Sequence, residues 1–149
     1  INKNLNLAQA NSIIIEEINK KLLIKFENWV YKKFKVRGSE NTANVNLLEA
    51  NTVLKEQKNK KTISSLLFDK KEFIYRIKLK FDLAFVNKEG KTKKLKIDST
   101  IKLRIFSNFS VNDKNQIIQD TLERLVVRVD GKVNEQLKNS FFADVIAKN

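Results

Sequence analysis

The chain has 149 residues and a net charge of +13, from 25 Lys and 5 Arg against 17 acidic residues, and a domain of that length hides roughly 70% of its unfolded surface. It contains no His and no Cys, which removes the commonest general base and metal ligand together with thiolate nucleophiles, zinc–thiolate sites and disulfides. No run of about 18 uncharged apolar residues occurs, so no segment reads as a membrane-spanning helix.

Residues 1–11 are polar and are expected to be frayed or disordered, leaving a single α+β domain over residues 12–149. The chain has no Met and opens on Ile1, so an upstream segment is expected to precede it. Ala8-Gln9-Ala10 has the small-x-small pattern of a signal-peptidase site, but the residues before it are polar and too few for an apolar signal core.

Ser12 is the expected N-cap of a first helix, with Glu16 and Glu17 at the positive end of its dipole. Ile15, Ile18, Leu22, Phe26, Trp29 or Val30, and Phe34 recur at steps of three and four and draw one apolar stripe. Trp29 lies mid-stripe and is expected in the core. Lys32, Lys33 and Lys35 fall in the last turn, and Gly38 is the expected C-cap.

Residues 43–55 read as a strand whose alternation changes phase between Leu47 and Leu48, which predicts a bulge near Leu48-Glu49. A connection without strand or long helix is expected to follow. Its apolar knuckle of Ile63, Leu66, Leu67 and Phe68 is ringed by Lys58, Lys60, Lys61, Lys70 and Lys71. That composition fits a contact with an anionic membrane surface; the alternative is a loop tucking its apolar residues onto the sheet edge.

The clearest pattern lies at residues 73–86, where Phe73, Tyr75, Ile77, Leu79, Phe81, Leu83 and Phe85 alternate with Arg76, Lys78, Lys80 and Asp82. Residues 93–106 repeat it with Leu95, Ile97, Ile101, Leu103 and Ile105. Both strands carry apolar residues at odd positions, so facing residues must have numbers with an even sum. A three-residue loop closing Asn87 on Lys91, with Gly90 left-handed, does this and pairs residues whose numbers sum to 178. Phe81 then meets Ile97, and the opposite charges Asp82 with Lys96 and Lys80 with Asp98 also face each other.

After a loop at residues 107–112, Ser110 or Asn112 caps a C-terminal helix with the stripe Ile118, Leu122, Leu125, Val129, Val133 and Leu137. The stripe can continue to Phe141 and Val145. Unbroken from Asp113 to Ala147, that helix would run about 50 Å, so its end is expected to kink or overhang. The expected fold is α+β: helix, three-stranded antiparallel sheet and long C-terminal helix, with both helices on the odd-numbered sheet face.

Catalysis is not expected, and neither is a cofactor or metal. Asp82 and Asp98, the best-placed carboxylates, each oppose a lysine, and three glycines at 38, 90 and 131 cannot build a phosphate loop. The even sheet face collects Arg76, Lys78, Lys80, Lys94, Lys96, Lys102 and Arg104, but apart from Phe106 the strand aromatics fall on the odd face. A base-stacking sheet needs aromatics among its cations. The Lys-over-Arg skew, the many Asn and the missing Pro match a protein encoded in AT-rich DNA, whereas nucleic-acid readers favour Arg.

Trp29, Gly38, Ala50, Tyr75, Gly90, Asn134 and Leu137, in that order over about residues 26–140, resemble a family of small uncharacterised exported proteins of alphaproteobacteria, often predicted lipoproteins. The general shape is also similar to lipopolysaccharide-assembly and transporter-auxiliary lipoproteins. This chain departs in being far more basic and in lacking the lipid-carrying Cys, which could only lie upstream. The resemblance implies a periplasmic or membrane-anchored, non-catalytic accessory role with a protein or anionic lipid partner. The alternative is a cytoplasmic lysine-rich nucleic-acid-binding module.

Overall fold

The alternation of residues 73–86 and 93–106 does build a hairpin, and the sheet grows from it. The computed structural model describes residues 3–34, 42–60, 70–87 and 89–138. Strands β1 (Thr42–Lys60), β2 (Lys70–Val86) and β3 (Thr92–Phe106) form an antiparallel sheet in the order β1-β2-β3. Helices α1 (Lys3–Lys33) and α2 (Val111–Leu137) flank them in sequence. The fold is α+β, with both helices on the odd-numbered face of the hairpin.

The β2–β3 register is the predicted one throughout: Phe81 faces Ile97, Leu83 faces Leu95, Ile77 faces Ile101, Asp82 faces Lys96 and Lys80 faces Asp98. The turn explains why. The Asn87 N–H donates to the Lys91 carbonyl and the Gly90 N–H to the Asn87 carbonyl, each at 3.0 Å, while Gly90 adopts a φ of 78°. Only glycine takes that backbone without strain. The Asn87 side chain braces the loop by accepting from the N–H groups of Glu89 and Lys91.

Asp82 and Lys96 face each other without closing into an ion pair among the described residues, so their attraction acts across the ladder. Lys96→Asp, which sets two carboxylates face to face, is expected to lower stability by up to about 1 kcal/mol, and adding Asp82→Lys should recover part of it. Urea midpoints of the two single variants and the double variant test this. Strictly additive effects would remove the pair as a contributor.

β1 carries the predicted bulge, since the register jumps between Leu47 and Glu49, and a second jump, not predicted, lies between Leu54 and Glu56. Each bulge flips the phase of the strand. That is how Leu47, Ala50 and Leu54 all pack against the core although their numbers differ in parity. β1 and β2 also run further than predicted, pairing through Lys58–Glu72 and Asn59–Lys71 to Lys60–Lys70. The expected strandless connection is thereby corrected at both ends. Gln57, Lys58 and Asn59 are exposed, so this stretch of β1 has no apolar alternation from which a strand could be read.

The first helix also starts earlier than predicted. α1 already runs at Lys3, so Ser12 lies inside it and caps nothing. Leu5, Leu7, Ala8, Gln9 and Ala10 are good helix formers and continue the helix past the polar residue. The predicted Gly38 cap falls outside the described residues. For α2 the cap is Ser110: its hydroxyl accepts from the Asp113 N–H at 3.0 Å, and the Asp113 carboxylate accepts from the Ser110 N–H at 3.0 Å. Gly131 does not interrupt α2, which continues to Leu137. The extension to Phe141 and Val145 lies outside the described residues.

The core is where the stripes meet. Ile18, Leu22, Phe26 and Trp29 from α1, the odd-numbered apolar residues of β2 and β3, and Ile118, Leu122, Leu125, Val129, Val133 and Leu137 from α2 form one buried cluster. Phe81 is its aromatic hub, with its ring centroid 4.9 Å from that of Phe26 and 5.6 Å from that of Trp29. Two buried hydroxyls find partners that tie elements together. The Thr52 hydroxyl donates to Asn19 and the Tyr75 hydroxyl to Asn11, both at 2.8 Å. From α2, Arg128 donates to the Thr100 carbonyl and Lys132 to the Asp98 carbonyl of β3.

Candidate functional site

Three places collect polar chemistry: the basic end of the β1–β2 ladder, the even face of the sheet, and the seam between the helices.

At the ladder end the structure brings part of the predicted lysine ring together. Lys58 is exposed on β1 and pairs with Glu56 at 3.2 Å. Lys60 closes β1 directly opposite Lys70 of β2. Lys71 is half-buried and belongs to the opposite side of the ladder. Its backbone is held by Ser107, whose hydroxyl accepts from the Lys71 N–H at 2.9 Å and whose N–H donates to the Lys71 carbonyl at 2.8 Å. Lys71 lines a cleft of about 500 Å³ with Phe73, Phe106 and Lys114. Lys61, Leu66, Leu67 and Phe68 lie outside the described residues, as does Ile63.

The even sheet face exposes Arg76, Lys94, Lys96, Lys102 and Arg104, with Lys78 and Lys80 half-buried. It is not uniformly solvated. Glu72 and Ile74 are buried at one end, beside their β3 neighbours Phe106 and Arg104, and Arg104 approaches the Glu72 carboxylate at 3.6 Å. Towards the turn the charges alternate in sign: Lys80 faces Asp98, Asp82 faces Lys96, and Lys78 pairs with Glu49 at 3.4 Å. Between these regions the order breaks. Arg76 lies directly opposite Lys102, two exposed cations across a strand pair, with Arg104 next along the same face.

Like charges placed so are destabilising, and neither Arg76 nor Lys102 closes an ion pair among the described residues. Phe106, the one aromatic of this face on the hairpin, is half-buried and packs edge-on against Phe109 at 5.3 Å. It is not free to stack on a base.

The seam between the helices is a cleft of about 390 Å³ lined by Lys25, Trp29, Lys33, Glu123, Val126 and Asp130 among others. The helices run in the same direction, since Lys25 meets Glu123 at 3.0 Å and Lys33 meets Asp130 at 2.9 Å. Trp29 is buried as predicted, and its indole N–H donates to Asp130 Oδ1 at 2.9 Å. The Asn134 amide donates to the other carboxylate oxygen at 3.2 Å, and Lys33 also donates to Asn134. Burial pushes the Asp130 carboxyl up. The hydrogen bonds from Trp29 and Lys33, the Lys33 charge and the Asn134 amide outweigh it and hold the group below its ordinary value. Lys25 with Glu123, and Trp29, Lys33 and Asn134 with Asp130, are engaged with one another at the seam, which makes it a helix clasp.

A scan against protein-family models finds no match, and a search of curated proteins finds no significant relative. Among the described residues no group of three or more His, Cys, Asp and Glu is placed to hold a metal ion, and no helix is long and apolar enough to cross a membrane. The Trp29–Asp130 clasp was missed in the sequence because its partners lie 101 positions apart. The Arg76–Lys102 pair was readable, since both belong to the register that predicted the opposite-charge pairs.

Proposed function

We propose that the domain is a non-catalytic accessory module of the bacterial envelope that makes a peripheral contact with an anionic lipid surface through the even face of its sheet. The observation that carries this reading is the open pairing of Arg76 with Lys102 beside Arg104. Elsewhere on the face Lys78, Lys80 and Lys96 meet an acidic residue across the ladder or in an ion pair. A like-charge pair at the centre of a sheet costs stability unless an anion from outside joins it. Phosphate-bearing headgroups are such anions, and the exposed Lys58 extends the basic surface towards the ladder end. The resemblance to exported, lipoprotein-like proteins supports a periplasmic or membrane-anchored location, and the lack of His and Cys supports a non-catalytic role. A protein partner with an acidic surface fits the same chemistry less closely, because the exposed apolar side chain beside Arg76 on this face, Val53, is small beside the aromatic anchors that protein interfaces centre on.

Co-sedimentation with vesicles tests the proposal. Vesicles rich in phosphatidylglycerol should retain the protein and phosphatidylcholine vesicles should not, with the difference shrinking as salt rises. Each cation near an anionic surface is worth about 1 kcal/mol, so Arg76→Gln with Lys102→Gln should weaken binding roughly thirty-fold. The same variant should keep or slightly gain stability, because it removes a repulsion. Equal binding to neutral vesicles, or indifference to the substitutions, would sink the proposal. Tight binding to a defined duplex at about 0.15 M salt would favour the nucleic-acid alternative instead.

A further inference from the structure

The outward face of α1 carries a second pattern, independent of the sheet. Ile13, Ile24 and Tyr31 are exposed to 64%, 52% and 74%, and at 100° per residue they fall on one line of the helix. That line is opposite the buried Ile18, Leu22, Phe26 and Trp29. Filling in the line gives Ile13, Glu17, Lys20, Ile24, Glu27 and Tyr31, spaced by alternating steps of four and three as in a helix-pairing seam. A surface helix that needed only to cover the core would carry polar residues here.

The local sequence shows what fits the seam. Residues 13–24 read IIIEEINKKLLI. Reflected about the midpoint between Ile18 and Asn19, Ile13 falls on Ile24, Ile14 on Leu23, Ile15 on Leu22, Glu16 on Lys21 and Glu17 on Lys20. Apart from the central pair, Ile18 on Asn19, which is turned away from the seam, apolar maps to apolar and each carboxylate maps to an ammonium. A two-fold axis through that midpoint, perpendicular to the helix, would bring the outward-facing ones, Ile13 with Ile24 and Glu17 with Lys20, together between two copies, because an isologous contact sets residue i against j and j against i. Ile14, Ile15 and Leu22 stay on the core side. A different partner would have no need for self-complementarity. An anionic membrane would be repelled by Glu16, Glu17 and Glu27, which lie along or beside the seam. Within one helix Glu17 already pairs with Lys21 at 3.0 Å, and both side chains remain more than a third exposed, so they can share that bond with a neighbour.

We infer that two copies of the domain pair through the outward faces of α1, the helices antiparallel, with Ile13 of each against Ile24 of the other. One helix pair buries less than the roughly 1,200 Å² of a stable interface, so the dimer is weak and concentration-dependent. Its two basic sheet faces then point outward on opposite sides.

Sedimentation equilibrium from about 10 µM to about 1 mM should show a shift from the 17.3 kDa chain towards twice that mass. Lys20→Glu sets carboxylates face to face twice across the axis and should weaken association about tenfold or more. Adding Glu17→Lys restores opposite charges across the axis and should recover most of it, a rescue that misfolding cannot produce. Orientation is tested by cross-linking, since the chain has no cysteine of its own. Ile13→Cys and Ile24→Cys proteins, mixed and oxidised, should cross-link to each other but neither to itself. In the antiparallel pair like positions lie about 16 Å apart along the axis, beyond disulfide reach. Self-links alone, a monomer at every concentration, or a dimer insensitive to both Lys20→Glu and Ile24→Glu would overturn the inference. So would an Ile24→Glu protein that stays monomeric like the parent but loses vesicle binding, which would make this face a membrane contact.

Discussion

Phe81→Ala is expected to cost about 3–5 kcal/mol of folding stability, the range for emptying a large aromatic from a core. Phe81 is fully buried near the middle of β2, between Leu47 of β1 and Ile97 of β3. It also meets Phe26 and Trp29 of α1. Its removal therefore withdraws surface from a strand on either side and from the helix above in one step. Rings at 4.9 Å and 5.6 Å add an aromatic contribution of about 0.5–1.5 kcal/mol beyond area. Phe81→Leu, which keeps much of the volume, should cost distinctly less. Trp29 is the only tryptophan, so its fluorescence during urea unfolding reports directly on this region. A loss below about 1 kcal/mol for the alanine variant would mean that the hub closes over the cavity and that α1 is not held by it.

The second large effect is alkaline. Burial pushes the Tyr75 hydroxyl up from 10.0 to about 12, and that hydroxyl donates to Asn11 of α1 at 2.8 Å. Because the folded value lies above the unfolded one, the folded state holds its proton longer. The associated stability is fully present below about pH 10 and is lost as pH rises towards 12. Two pH units correspond to about 2–3 kcal/mol. The measurement is the difference in urea midpoint between the parent and Tyr75→Phe, in which contributions common to both proteins cancel. That difference should be constant up to about pH 9.5 and should change in favour of the variant above it. A difference unmoved between pH 9 and 12 would show that Tyr75 does not resist ionisation in the folded protein.

What could be read in advance followed the distance over which a signal acts. The hairpin register rested on parity and on four turn residues, and Gly90 at φ 78° with Phe81 against Ile97 confirms it. The bulge after Leu47 showed as a phase change within one strand. Beyond Leu54 the second bulge and the rest of β1 left no such mark, because Lys55, Glu56, Gln57 and Lys58 are exposed and no burial pattern distinguishes one face from the other. The start of α1 was misplaced because a serine that could cap a helix sits within one. The predicted contact residues divide in the same way: Lys58 and Lys60 are on β1, Lys70 and Lys71 on β2, and the apolar knuckle lies outside the described residues. The clasp of Trp29, Lys33 and Asp130 depends on two helices meeting, and no local pattern announces that.

Arg128 and Lys132 of α2 donate to the carbonyls of Thr100 and Asp98 on β3, and this bears on how the sheet ends. An outer strand presents unpaired peptide groups that can recruit another chain and seed aggregation. On β3 two of those acceptors are already taken by cations from the neighbouring helix, so an incoming strand would have to displace them before it could form a regular ladder. The opposite margin, β1, is broken by its two bulges, which bend and twist a strand away from flat pairing. A concentrated, self-associating β protein runs the risk of polymerising through its margins. In the pairing inferred above association runs through the helices, and among the described residues the sheet has three strands.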